Sequence, residues 1–140
     1  MEELMMDGST QGSAHSLGRH IEDCIQACMA CAHICNVCES DMVGMAQQAP
    51  EDLTTRCIRL CRECADICFL SAQWMGRGSV FAVRMCALCA ELCDLCAGLC
   101  EEHAPYHALC ADCAKECRRC AALCHKMVAE SVPNPSAVSA

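Results

Sequence analysis

Four stretches of this chain carry cysteine at every third or fourth position without a break. The first holds Cys24, Cys28, Cys31, Cys35 and Cys38, and the second Cys57, Cys61, Cys64 and Cys68. The third holds Cys86, Cys89, Cys93, Cys96 and Cys100, and the fourth Cys110, Cys113, Cys117, Cys120 and Cys124. Steps of three and four alternate throughout, which is the a/d seam of a heptad, so each run lies along one face of an α-helix. All 19 cysteines of the 140-residue chain belong to these runs. Neighbours at i+3 and i+4 on a helix have Cβ atoms about 5–6 Å apart, whereas a relaxed disulfide needs roughly 3.5–4.5 Å. The odd cysteine count argues the same way, and the runs read as free thiols rather than a disulfide framework.

The repeat is a cysteine-bearing helix of about 25 residues used four times. Helices are expected near 17–44, 51–74, 79–101 and 105–130. Gly44 to Pro50 ends on a proline ahead of Glu51 and Asp52, acids suited to a first turn. Met75 to Ser79 reads as a turn with Ser79 as N-cap, and Pro105 fits the first position of the fourth helix. Links this short join antiparallel neighbours. The expected fold is therefore all-α: an antiparallel up-down-up-down four-helix bundle with a cysteine-lined core. It spans 15–130, between flexible tails at 1–14 and 131–140.

The flanks of the seams support this. Opposite the sulfur lie polar residues such as Gln26, His33, Arg59, Asp66, Gln73, Glu91 and Lys115, a solvated face. One flank carries Ile34, Leu60, Ile67, Leu92, Leu99 and Leu123; the other carries Ala32, Ala65, Ala90, Ala97, Ala114 and Ala121. Aromatic residues make up only 3% of the chain, so sulfur must occupy much of the interior. A formal charge of −8 is the wrong sign for nucleic acid, and no apolar run approaches the roughly 20 residues that span a bilayer. The N-terminal residues lack a basic and apolar export pattern, so the expected location is cytoplasmic. No nucleophile–base motif or phosphate-cradling loop is visible, and the chain reads as a binding protein rather than an enzyme.

Cysteine as a mere small hydrophobe does not explain why it takes every seam position while Leu and Ile keep to the flanks. Soft thiolates select Cu(I), zinc or iron–sulfur clusters, and they bind only when deprotonated. Filling the core would thus create many buried negative charges, a heavy cost unless they are neutralised. Cu(I) at about one ion per sulfur, with bridging thiolates, brings the core close to neutral. Zinc in four-cysteine sites keeps a −2 charge per ion and needs tetrahedral clusters. Iron–sulfur runs use other spacings, and no cysteine here precedes proline. Multiple Cu(I) ions per chain are the preferred ligand, with a multi-zinc or iron–sulfur redox protein as the alternative.

With these seams over about 17–130, the sequence resembles the bacterial copper storage proteins, four-helix bundles with a cysteine-lined core. Without an export pattern it is similar to their cytosolic branch. The resemblance implies a homotetramer that sequesters copper and protects against its toxicity, exchanging it with a copper chaperone or an efflux pump. The second helix carries four cysteines where the others carry five, so the metal ladder is expected to be uneven there. At one end the seam runs from Cys38 into Met42 and Met45, and from Cys100 into His103, with His107 close by. Thioether and imidazole bind Cu(I) without adding charge, so this end reads as a loading mouth. Met42 and Met45 read equally well as core plugs. Trp74, Met75, Phe81, Met85 and Met127 gather at the other end as a stopper. Leu88 and Leu95 on the third helix are apolar beyond a monomer's needs and point to an oligomer interface.

Overall fold

The computed structural model describes residues 12–45 and 49–131. They form four helices: α1 (Gly12–Val43), α2 (Glu51–Gly76), α3 (Ala82–His103) and α4 (Leu109–Ser131). α1 packs on α2 and α4, and α3 packs on the same two, whereas among the described residues no Cα atoms of the diagonal pairs come within 8 Å of each other. The result is the expected antiparallel bundle of four helices around one shared axis. α1 starts at Gly12, inside the segment expected as a tail. Residues 1–11 and 132–140, which hold most of the expected tails, lie outside the described residues.

Every seam cysteine is 0% exposed. The alanine flank is buried with them, and Ile25, Ile34, Ile58, Leu60, Leu92, Leu99 and Leu123 pack against the sulfur from outside. Cysteine and alanine let the helices approach closely but bury little area each. The aliphatic flank therefore carries much of the hydrophobic stabilisation, at about 1.5–3 kcal/mol for each fully buried Leu or Ile and less for these partly covered ones. The expected polar face, from Gln26 to Lys115, is exposed along all four helices.

Two further helix starts differ from expectation. α2 ends in a Schellman motif: Gly78 has φ 69°, its N–H donates to the Met75 carbonyl, and the Ser79 N–H donates to that of Trp74. The chain then needs one further turn, so α3 begins at Ala82 rather than 79. Ser79 does not cap the helix itself; its hydroxyl accepts from the Phe81 N–H at 3.0 Å in the preceding turn. Likewise α3 runs on to His103, and Pro105 sits in a tight turn instead of opening α4. The His103 carbonyl accepts from both Tyr106 and His107 N–H groups in that turn. The turn keeps His103 and His107 on the inner face.

The stopper end is only partly as expected. Met75 and Met127 are 5% exposed, but Phe81 is half exposed and lies outside, with its ring centroid 6.2 Å from that of Trp74 and Arg84 stacked over it at 5.9 Å.

Candidate metal centre

Two fixed registers set the positions of the sulfurs. Along α1 and α4, Cys24 faces Cys124 at 3.6 Å, Cys28 faces Cys120 at 3.6 Å, and Cys31 faces Cys117 at 3.6 Å. Cys35 then faces Cys113 at 3.6 Å and Cys38 faces Cys110 at 3.5 Å. Along α2 and α3 the matching steps are Cys57 with Cys100 at 3.7 Å and Cys61 with Cys96 at 3.8 Å. Cys64 with Cys93 and Cys68 with Cys89 follow, both at 3.6 Å. Cross-axis contacts complete the column: Cys31 to Cys93 at 3.9 Å, and Cys61 to Cys113 and Cys68 to Cys120 at 4.0 Å. The backbones of diagonal helices stay apart, yet their sulfurs meet.

All 19 cysteines are free thiols. They form overlapping quartets whose sulfurs lie within 4.8 Å of one another, among them Cys31/Cys35/Cys64/Cys117, Cys31/Cys64/Cys68/Cys93 and Cys68/Cys89/Cys93/Cys120. Cys31, Cys64, Cys68 and Cys93 each belong to two of these. Shared members are what a chain of bridged soft cations requires, and they do not divide into separate tetrahedra. Protons are unevenly held along the column. Hydrogen bonds to Cys113 and to Cys120 push the Cys35 and Cys68 thiols up, respectively. Near the mouth, hydrogen bonds from Cys100 and Cys110 hold Cys38 down at about 5 and also lower Cys57.

The end expected as a loading mouth gathers the C-terminal ends of α1 and α3 with the N-terminal ends of α2 and α4. Cys110 is its hub. His103 Nδ1 lies 3.3 Å from the Cys110 sulfur, His107 Nδ1 3.2 Å, and Met42 Sδ 4.0 Å. Both histidines and Met42 are buried, at 0%, 5% and 1% exposure. Met45 is placed differently: α1 stops at Val43, the heptad no longer directs the chain inward, and Met45 is 48% exposed beside Ser40 and Asp41. Of the other histidines whose side chains are described, His33 is exposed, and His20 and His125 pair with Glu130 and Asp94 on the surface.

Two mouth residues escaped the sequence reading. The α2–α3 register continued by one step sets Thr54 opposite His103, and its Oγ1 is 3.0 Å from Nε2. The α1–α4 register continued likewise sets Asp41 opposite His107, with Oδ2 2.7 Å from Nε2. Their signal was the seam spacing carried past the last cysteine, combined with a register between helices that one helix's pattern does not reveal. Asp41, His107 and Cys110 have the connectivity of a nucleophile triad, which sequence motifs had not suggested. Cys110 is 0% exposed, however, and His103 lies against the same sulfur at 3.3 Å.

Comparison with known proteins agrees with this geometry. The chain matches the family model described as copper storage protein over residues 18–129. It is 39% identical to the Cu(I)-bound Bacillus subtilis copper storage protein BsCsp3, covering 78% of this chain and 98% of that one, with a TM-score of 0.70. A cytosolic copper storage protein from Streptomyces lividans, solved with five coppers, is 29% identical over 82% of this chain and 97% of its own, with a TM-score of 0.75. An uncharacterized cysteine-rich protein of Bacillus subtilis, YhjQ, is 40% identical over 64% of this chain and 80% of its own length. Four helices around a continuous sulfur column, matched over most of their length, place this chain in the copper storage protein family.

Proposed function

We propose that the protein is a high-capacity cytoplasmic store for Cu(I), held by the core thiolates and loaded through the His103/His107 end. The observation that carries this reading is the sharing of cysteines between neighbouring quartets. A bridging thiolate neutralises half of each of two monovalent ions, so charge cancels along the column. Zinc would leave each quartet at −2 in a sealed interior. Each ion taken up releases a thiol proton, and no reaction on an organic substrate is involved.

The ligands are the 19 seam cysteines, supplemented at the mouth by His103, His107 and Met42. Met45, exposed at the rim, offers a thioether on the approach. The protein acts as a homotetramer, and a copper chaperone or efflux pump is the class of partner that would exchange copper with it. Anaerobic titration of the reduced protein with Cu(I) tests the storage role. Uptake should approach about one ion per thiol, and saturation at about four or five ions would instead favour separate four-cysteine sites.

A further inference from the structure

The two mouth imidazoles are held differently on the side away from the sulfur. His103 Nε2 meets the Thr54 hydroxyl, which can donate or accept. His107 Nε2 meets the Asp41 carboxylate at 2.7 Å, and an ionised carboxylate only accepts. A neutral His107 must therefore carry its proton on Nε2, which leaves the Nδ1 lone pair facing Cys110 at 3.2 Å and Cys38 at 3.9 Å. The partner is fixed by the bundle, because Asp41 lies on α1 where the α1–α4 register continues beyond the Cys38–Cys110 pair. The His107 side chain is 3% exposed and that of Asp41 47%, so the carboxylate stands on the solvent side and the ring spans the wall between solvent and sulfur.

We propose that Asp41 is a positioning residue for copper transfer: it locks His107 in the Nε2–H tautomer and aims Nδ1 at the sulfur column as the first nitrogen ligand an incoming Cu(I) meets. This rests on the storage reading above. An imidazole that ligates through one nitrogen commonly has the other held by a carboxylate, which sets both the tautomer and the ring plane. With Thr54 imposing no direction on His103, His107 is the imidazole whose lone pair is committed inward.

Asp41→Ala and Asp41→Asn both remove the acceptor-only group, because an amide can donate to Nε2 as well as accept from it. Raised ionic strength separates this role from simple attraction of a cation, which salt screens. The tautomer is read in the metal-free protein by two-bond ¹H–¹⁵N correlation of the histidine rings, in mildly alkaline buffer where imidazole is neutral. Loading is followed by stopped flow from a coloured Cu(I)–chelator complex. Wild type should show His107 protonated on Nε2, whereas Asp41→Asn should lose that fixed tautomer and load more slowly. Asp41→Ala should show mixed tautomers and load about tenfold more slowly or worse. An Asp41→Ala variant with the wild-type tautomer and rate overturns the proposal, as does an Asp41→Ala loading defect that raised salt abolishes. The total Cu(I) bound by the wild type is measured separately. A low total would sink the storage reading and leave the ring measurement standing.

Discussion

Ser71 is where the sulfur column is one thiol short. The α2 seam reaches it three residues after Cys68, it is 0% exposed, and the α2–α3 register sets it opposite Cys86. Its hydroxyl makes only a long 3.5 Å bond to the Met85 carbonyl, so little is lost by replacing oxygen with sulfur. A serine hydroxyl does not ionise at neutral pH, whereas a thiol beside metal does. Ser71→Cys should thus add about one Cu(I) per chain in an anaerobic titration, and Ser71→Ala should add none. The spacing of the runs named all 19 cysteines, and with Met42, His103 and His107 it traced the column into the mouth. It also showed that the second helix was short of one cysteine. Which residue faces which was not legible, because periodicity orients a helix face without fixing how far one helix slides along another. Ser71, Thr54 and Asp41 acquire their meaning only through that slide.

At the level of the helices, α3 and α4 are tied on their outer side by Arg118, which donates to both oxygens of Glu101 at 3.1 and 3.0 Å and to Asp94 at 3.3 Å. The Arg118 hydrogen bond holds the Glu101 carboxyl below the usual carboxylate range. A carboxyl lowered in the folded state stabilises it above the unfolded value, near 4.3. That contribution disappears as pH falls through the folded value. Both side chains are about half exposed, at 47% and 53%, so solvent screening limits the effect to less than about 1 kcal/mol. Glu101→Gln should lower the denaturation midpoint of the metal-free protein slightly at neutral pH, and the gap should close in acid. Helix existence and order were legible, whereas the starts of α1, α3 and α4 were not. The α2 stop was signalled by Gly78, but the Schellman turn that follows uses up residues that looked like the start of α3. Pro105 has a residue type suited to opening a helix, yet here it shapes the turn that swings His107 inward.

For the molecule as a whole, α3 and the turn before it carry Phe81, Leu88 and Leu95 at seven-residue intervals, each about half exposed at 51%, 47% and 57%. An outward apolar stripe of this kind favours association between copies. Leu88→Glu combined with Leu95→Glu should shift the protein toward smaller species in sedimentation or light scattering, and each chain should still bind copper in its own core. An unchanged oligomer would place the contact on another face. The paired registers have one more consequence, for how such a gene can change. A single codon inserted within a helix turns everything beyond it by about 100°, carrying later thiols out of the core and parting each from its opposite number. Length variation among descendants of this sequence is therefore confined to the corners of the bundle, and the spacing of the motif is inherited whole or lost.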